Sequence, residues 1–382
     1  MIRIGITSII NNSLFANGVN QNAIYLARVL NKGGYNIDII CGNQKTIEHI
    51  SEYEKEINCV SLDQSYEISY DLVIQLGLTI SLYMSSKWKQ NNENVKFVGY
   101  NCGNHYLINT ERMLFDYNRT NSTLGARFQH DQKMDQIWSI PQMENTNYFF
   151  YKFYTGQDNV TVVPFVWDPF VIEESFKIRE EPVYYPRPIK RCGVLEPNIS
   201  VMKNSILPAI ILDRSQEINP LENVYLFGTE LIKNSKPYID FIQSLKIYQD
   251  KKLTVESRFE TAKVLKNHVD FVLSWQWENN LNYLWLDVAW MGYPMVHNGS
   301  MCQDVGYYYE GFDGDSAIEK IGEVIETHNQ NYESYLTTNR KIIKRYTSQN
   351  ENLVIQYKEL VESVINNKFE RKKYDWKENK IY

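Results

Sequence analysis

Two carboxylates and a glycine-proline turn stand close together in the second half of the chain. Glu278 and Asp287 are nine residues apart, and Gly292-Tyr293-Pro294 follows them. Carboxylate oxygens accept hydrogen bonds from vicinal hydroxyls, so this pair could hold a hexose and a ribose. Two alternatives stay open: Glu278 could cap the helix that follows it, and Asp287 could be a solvated charge on that helix.

A second segment, which runs from Glu196 through Lys203 to Asn204, holds candidates for binding a diphosphate. It lies between an apolar run at 191–195 and a predicted helix at 206–212. The free N–H groups of a helix N-terminus favour an anion, and Lys203 adds a full positive charge there. The helix dipole alone would disfavour a cation at this end, although Asn204 as a cap and a solvated Lys203 remain the alternative. Trp275 and Trp277 could stack on a base or a sugar, or could simply pack in the core.

These residues need strands and helices to position them, and short apolar runs alternate with helical patterns throughout the chain. Such alternation predicts doubly wound parallel sheets, in which ligands bind at the carboxyl ends of the strands. A helix is predicted at 282–291, where Gly292 ends it. The predicted strands are 2–7, 37–41, 72–76, 95–100, 136–140, 160–164, 191–195, 224–227, 269–274 and 294–297.

In the first half, the loop 11–20 follows the first predicted strand and leads into a helix at 21–31. Gly18 would let a ligand approach the backbone, and Asn20 could cap the helix, although a lone glycine is usually only a turn. His105 follows the run 95–100 and could hydrogen-bond a sugar or move a proton, or be structural. If the reaction needs a base, His105, Glu111 and Asp116 are the candidates.

Length and composition favour a two-domain enzyme. The chain has 382 residues, 43% of them hydrophobic, with a formal net charge of −6 that gives no general attraction to nucleic acid. Five scattered cysteines indicate reduced thiols in the cytoplasm. The first strand begins at once without a signal peptide, and no apolar run has the length of a membrane span. Asp313-Gly314-Asp315 is better explained as a turn than as a metal site, so no metal is expected.

Domain boundaries are expected where prolines and charges interrupt regular structure. We predict an N-terminal acceptor domain at 1–170, a linker at 171–188, a C-terminal donor domain at 189–340, and C-terminal helices at 341–382. The linker contains Pro182, Pro186 and Pro188.

The acidic pair and the glycine-proline turn resemble the signature of GT-B glycosyltransferases, with Asp as the second acid and a spacing one residue longer. The whole chain is similar to a GT-B-like family of phage, viral and bacterial proteins known as a domain of unknown function. The segments that carry this similarity are 17–22, 103–106, 163–169, 196–199, 256–259 and 274–298. The resemblance implies two Rossmann-like domains facing a cleft, with C-terminal helices crossing back. It also brings Arg258 to the crevice, where an arginine can bind a diphosphate bidentately.

The expected function is transfer of a sugar from a nucleotide-diphosphate sugar, such as a UDP-sugar, to an acceptor hydroxyl, without a metal or any other cofactor. Lys203 and Arg258 would hold the diphosphate, Asp287 the ribose, and Glu278 with Asn282 the sugar. The acceptor is a glycan or a hydroxylated DNA base, and the localisation is cytoplasmic, in the host if the protein is viral. A DNA acceptor would need a basic groove, for which the candidates are Lys87, Trp88, Lys89, Arg112, Arg119, Arg127 and Lys133. A sugar-nucleotide epimerase or hydrolase, or a non-catalytic carbohydrate-binding relative, remains an alternative.

Overall fold

The computed structural model describes residues 1–10, 14, 18–115, 133–177 and 183–382. The chain forms two compact units. Unit 1 comprises Met1–Val171 and Arg345–Tyr382, and unit 2 comprises Ile172–Lys344. The C-terminal residues therefore belong to the same unit as the N-terminal ones.

Unit 1 contains a seven-stranded parallel sheet with the order β3-β2-β1-β4-β5-β6-β7. Its strands are rich in buried aliphatic residues, as expected for parallel strands covered on both faces. The strands are β1 (Arg3–Ser8), β2 (Asn36–Cys41), β3 (Asn58–Ser61), β4 (Leu72–Gln75), β5 (Lys96–Asn101), β6 (Gln136–Ser139) and β7 (Val160–Val162). The helices of this part of the chain are α1 (Gly18–Lys32), α2 (Gln44–Tyr53), α3 (Leu62–Ser65), α4 (Leu82–Asn91), α5 (His105–Phe115), α6 (Glu144–Phe150) and α7 (Phe170–Phe176).

Unit 2 contains a six-stranded parallel sheet with the order β10-β9-β8-β11-β12-β13. The strands are β8 (Arg191–Val194), β9 (Asn223–Leu226), β10 (Leu253–Val255), β11 (Phe271–Leu273), β12 (Met295–His297) and β13 (Tyr307–Tyr308). The helices are α8 (Ile206–Ser215), α9 (Lys236–Ser244), α10 (Lys246–Gln249), α11 (Thr261–Asn267), α12 (Tyr283–Trp290) and α13 (Gly314–Ile343). Both sheets confirm the predicted doubly wound α/β class.

The C-terminal residues complete unit 1 through α14 (Glu351–Ile365) and a small hairpin, β14 (Tyr374–Asp375) with β15 (Lys380–Ile381). The Tyr357 hydroxyl on α14 donates to the Pro164 carbonyl at 2.7 Å, and Gln136 Nε2 donates to Ser363 Oγ at 3.1 Å. These contacts attach the last long helix to the strand region of unit 1. Within the described ranges, no helix is both long enough and apolar enough to cross a membrane.

Asp313-Gly314-Asp315 is the start of α13 rather than a free turn. The Asp313 side chain accepts a hydrogen bond from the Ser316 N–H at 2.9 Å, which makes Asp313 the N-cap. Asp315 lies in the first helical turn, where the helix dipole stabilises a negative charge. Both carboxylates therefore have a structural explanation.

Candidate active site

A fully buried carboxylate, Glu196, lies just beyond the end of β8. One of its oxygens accepts a hydrogen bond from Ser274 Oγ, and Oε2 accepts one from Gln276 Nε2 at 2.9 Å. Ser274 directly follows β11, which pairs with β8 in parallel. Because parallel neighbours end at the same edge of the sheet, residues 78 and 80 positions apart meet there.

The hydrogen bonds continue from this carboxylate into the loop before α12. Trp285 Nε1 donates to Ser274 Oγ at 2.8 Å, and Asn282 Nδ2 donates to Gln276 Oε1 at 2.9 Å. Asn279 Nδ2 donates to the same Gln276 oxygen. The result is a connected buried polar network, which holds its members rigidly when each is satisfied.

The electrostatics of this edge are unusual for a protein interior. Burial raises the pKa of Glu196 to about 7, although the bonds from Ser274 and Gln276 and the charge of Lys203 act to lower it. Burial also lowers the pKa of Lys203, and the nearby positive charge of Arg258 lowers it further, while Glu196 opposes both effects. The pKa of Arg258 is lowered by burial as well. By its accessible surface Arg258 is exposed and Lys203 is partly exposed, so burial weighs less on Arg258 than on Lys203. An anion bound beside these two cations would stabilise their charged forms.

The loop that carries Lys203 is attached to the strand exit of β11. Lys203 forms an antiparallel bridge with Gln276, and the Trp277 N–H donates to the Met202 carbonyl at 2.9 Å. Asn198 fixes the start of the loop with a backbone φ of 51°. Its Nδ2 donates to the Phe227 carbonyl at 3.1 Å, and its Oδ1 accepts from the Ser205 N–H at 2.8 Å.

The helix after this loop, α8, begins shortly after Lys203. Ser205 precedes the first helical residue, and Asn204 Oδ1 accepts from the Ile206 N–H at 3.2 Å. Asn204 therefore satisfies one of the free donors of the helix start, as the capping alternative proposed. Lys203 is only partly exposed.

For Glu278 and Asp287, the alternatives of a helix cap and a solvated helix charge are both wrong. The cap of α12 is Asn282, whose Oδ1 accepts from the Leu284 N–H at 3.0 Å, and not Glu278. Asp287 is buried in the middle of α12 and is not a solvated charge. Glu278 is exposed and has a φ of 50°, a backbone conformation that is uncommon for a residue other than glycine.

The two tryptophans of this region differ in exposure. Trp275 is buried and packs edge-to-face on Phe312 with ring centroids 4.8 Å apart, whereas Trp277 is 43% exposed. Of the two, only Trp277 therefore offers a large accessible ring.

His297, at the end of β12, is fully buried. Burial lowers its pKa to about 4, and its Nε2 bonds to the Val305 carbonyl at 2.7 Å. It has a structural role.

In unit 1, His105 is the first residue of α5 and is held by two partners. Its N–H donates to Asn147 Oδ1 at 3.1 Å, and its Nδ1 lies 2.6 Å from the Tyr151 hydroxyl. The other two predicted residues lie on α1, which begins at Gly18. Gly18 is exposed, whereas Asn20 is buried inside the first turn and so does not occupy the cap position.

The remaining candidates of the first half divide into several groups. Glu111 lies on α5, whereas Asp116, Arg119 and Arg127 lie outside the described residues. Trp88 is fully buried and donates from Nε1 to Ser65 Oγ at 3.2 Å, so it presents no ring for base stacking. In the portion of the chain that the structure covers, no group of three or more His, Cys, Asp and Glu side chains could hold a metal ion.

Ser274, Gln276, Asn279 and Asn298 are central to the site but were not among the predicted residues. The Asn298 side chain bonds both main-chain groups of Gln276, as the backbone of a neighbouring strand would. It accepts from the Gln276 N–H and donates to the Gln276 carbonyl, both at 2.9 Å. One signal was present in the sequence. Polar residues directly after the apolar run 269–273 alternate with Trp275 and Trp277, which indicates a functional strand exit.

Comparison with solved structures defines the class of the fold. TarM, which is an S. aureus protein, matches with a TM-score of 0.62 at 9% identity, covering 96% of this chain and 99% of that one. An alpha-glucosyltransferase solved with UDP and a DNA 13-mer containing an HMU base matches with a TM-score of 0.61 at 12% identity, over 96% and 99% of the two chains. Sucrose-phosphate synthase from Thermosynechococcus elongatus matches with a TM-score of 0.58 at 9% identity, covering 96% of this chain and 100% of that one. The protein has the GT-B fold of glycosyltransferases.

The family follows from the sequence. Residues 4–361 match the model of DUF2827, which is described as a protein of unknown function, and the chain belongs to this family. No curated protein matches the sequence significantly.

Proposed function

We propose that this protein transfers a sugar from a nucleotide-diphosphate sugar, with UDP as the nucleotide, to an acceptor hydroxyl, and that it does so without a metal ion. The observation that carries the proposal is the attachment of the Lys203 loop to Gln276, whose side chain bonds the buried carboxyl of Glu196 at the carboxyl edge of a parallel sheet. The charges of Glu196 and Arg258 both act on Lys203 there. Two neighbouring positive charges lower each other's affinity for protons, and a diphosphate bound beside them reverses that effect.

The site residues of unit 2 have separate roles in this reaction. Lys203, Arg258 and the N-terminus of α8 stabilise the negative charge that develops on the leaving diphosphate. Glu196 has both oxygens bonded to Ser274 and Gln276, so it supports Lys203 and the strand exit instead of binding the ligand directly. This role departs from the direct ligand contact expected from the sequence.

The donor sugar and the nucleoside are held by the residues around α12. Asp287 binds the ribose hydroxyls, while Glu278 and Asn282 orient the sugar. The exposed ring of Trp277 is better placed to stack on a base or sugar than Trp275, which is buried. In unit 1, Gly18, Asn20 and His105 contact the sugar or the acceptor.

The structural relatives support UDP as the nucleotide and leave two acceptor classes. The alpha-glucosyltransferase was solved with UDP and DNA, and a TarM mutant was solved with UDP and alpha-GlcNAc-glycerol. For this protein we therefore propose a glycan or a hydroxylated DNA base as acceptor. A groove of about 530 Å³ in unit 1 contains Tyr106, Phe149 and Phe153, whose rings offer apolar faces to either acceptor.

Product analysis tests the proposal directly. The purified protein is incubated with a panel of UDP-sugars and with glycan or hydroxymethylated DNA acceptors, and the products are separated by liquid chromatography and mass spectrometry. Transfer yields a conjugate and UDP. Free sugar with UDP would instead show a hydrolase, an isomerised nucleotide sugar an epimerase, and tight binding without turnover a non-catalytic relative.

Variants of Lys203 and Asp287 test whether this activity depends on the proposed donor site. Lys203→Ala and Asp287→Ala are each expected to weaken UDP binding in calorimetry. The matched control is Lys190→Ala, because Lys190 is an exposed lysine of the same unit that pairs with Glu222. Unchanged UDP affinity in both site variants would refute the assignment of the donor site.

A further inference from the structure

A short contact joins the side chains of Tyr151 and His105 in unit 1. Tyr151 is buried and begins a π-helical turn, Tyr151–Thr155, that directly follows α6. Its hydroxyl lies 2.6 Å from His105 Nδ1. π-helical turns inside helices occur frequently at functional sites, because they displace one side chain from the regular helical position.

The main chain around His105 is fixed by the same region. Asn147 on α6 accepts from the His105 N–H and donates from Nδ2 to the Gly103 carbonyl and to Ser139 Oγ, each at 3.0 Å. These bonds join the loop after β5, the end of β6 and the first residue of α5. Asn147 therefore fixes the main chain from which the His105 imidazole extends, and Tyr151 is the partner of the ring.

The direction of the hydroxyl proton follows from the chemistry of the pair. Burial raises the pKa of Tyr151, so the phenol keeps its proton. A phenol O–H is a stronger hydrogen-bond donor than a neutral imidazole N–H, and an imidazole nitrogen is a stronger acceptor than a phenol oxygen. Across the 2.6 Å contact the O–H therefore donates to His105 Nδ1. A nitrogen that accepts a hydrogen bond carries no proton in neutral imidazole, so the proton is on Nε2.

We propose that Tyr151 is a positioning residue that holds His105 in the Nε2–H tautomer, so that His105 acts as a neutral hydrogen-bond donor to a substrate hydroxyl and not as a base. The tautomer depends only on the contacts within unit 1. Its consequence for catalysis rests on the proposed glycosyl transfer. A general base must have an unprotonated nitrogen facing the proton it removes, and here that nitrogen is occupied by Tyr151.

Nitrogen NMR tests the tautomer without any need for activity. The chain has six histidines, so ¹⁵N-histidine labelling with long-range proton–nitrogen correlation at alkaline pH gives few signals, and the signal absent from His105→Gln assigns residue 105. The wild type is expected to show the Nε2–H pattern, and Tyr151→Phe a mixture of both tautomers. An Nδ1–H pattern in the wild type, or an unchanged pattern in Tyr151→Phe, would overturn the proposal.

Kinetics test the positioning role. Tyr151→Phe is expected to lower kcat about 10- to 100-fold with an unchanged KM for the donor, the range found when the partner that orients a metal-bound histidine is removed. The matched control is Tyr357→Phe, which loses another buried hydroxyl bond of unit 1, to the Pro164 carbonyl at 2.7 Å. A wild-type kcat in Tyr151→Phe refutes the positioning role. Absence of transfer in the wild type refutes only the proposed function, because the NMR result stands independently.

Discussion

The carboxyl edges of the two parallel sheets are built from different kinds of side chain. In unit 2 the edge contains a buried carboxyl, Glu196, with Lys203 and Arg258 near it. In unit 1 the corresponding edge contains neutral amides and hydroxyls, among them Asn101 and Ser139 at the ends of β5 and β6. The sheets share a topology class, so the difference lies in the residues that follow the strands.

This difference bears on what we propose for each edge. Burying charged groups costs free energy, and a charged ligand can offset that cost. Neutral amides and hydroxyls suit uncharged hydroxyl groups, which exchange hydrogen bonds with them at little electrostatic cost. The comparison therefore supports the proposal that unit 2 binds the diphosphate and unit 1 binds uncharged hydroxyls, and the variants below test that division.

The largest effect is expected from Gly228→Ala, which disturbs the backbone that supports Glu196. Gly228 has a φ of 69°, and an added Cβ would lie 2.6 Å from the Glu196 carbonyl oxygen. Left-handed strain and overpacking against backbone together should lower the free energy of unfolding by about 4 kcal/mol. Urea denaturation measures this value.

Gly34→Ala in unit 1 is the control for the backbone strain alone. Gly34 also has a positive φ, of 87°, but nothing lies within 4 Å of an added Cβ. Its cost should be only about 1 kcal/mol. Equal losses in the two variants would mean that the packing of Gly228 against Glu196 contributes nothing.

Glu196→Gln should change how stability depends on pH. The pKa of Glu196 is about 7 in the folded protein against an ordinary 4.5, so the folded state binds this proton more tightly. The contribution is therefore fully present below about pH 4.5 and is lost as pH rises through about 7, by up to about 3 kcal/mol. The glutamine variant should lack this loss, because its amide does not titrate in this pH range.

Urea denaturation at about pH 5 and about pH 8 measures the effect, since these values fall on either side of most of the transition. Glu222→Gln is the control, because Glu222 is an exposed carboxylate paired with Lys190. If Glu196→Gln and the wild type lost the same stability between the two pH values, the buried carboxyl would not be the titrating group.

Lys203→Met should weaken UDP binding while preserving much of the side-chain volume. Loss of a hydrogen bond to a charged group costs about 2 kcal/mol, which corresponds to an increase of about 30-fold in Kd. Removal of the lysine charge should also raise the pKa of Glu196, because that charge lowers it. Calorimetry with UDP checks the affinity, and Lys190→Met should bind UDP like the wild type.

The sequence was sufficient to predict most of the buried strands and the helices that correspond to α1, α8 and α12. Six predicted strands of the first half correspond to β1, β2, β4, β5, β6 and β7, because continuous aliphatic runs are a strong local signal. The strands β3, β10 and β13 were missed, as was the β14–β15 hairpin, which lies where C-terminal helices were predicted. The three sheet strands are two to four residues long and are only partly buried, so their apolar pattern is weak and their pairing is decided by the rest of the sheet.

The candidate site shows the same division between local and long-range information. Lys203 was predicted to bind a diphosphate from its position before a helix, which is a local feature. The bonds of Glu196 to Ser274 and Gln276 join residues far apart in the chain, so their pairing could be recognised only once the order of the strands was known. The left-handed Glu278 and the Tyr151 contact with His105 likewise depend on tertiary structure.

The smallest effect is expected from Ser139→Ala at the neutral edge of unit 1. Ser139 Oγ accepts from Asn147 Nδ2 at 3.0 Å, so its loss should cost about 1 kcal/mol of stability, the usual net value of a buried hydrogen bond. No charged group is involved, so the loss should be the same at about pH 5 and about pH 8, and the Kd for UDP should not change. Urea denaturation at both pH values and UDP calorimetry measure these quantities. A weakened UDP affinity in this variant would show that the neutral edge also contributes to nucleotide binding, and the division between the two edges would then be wrong.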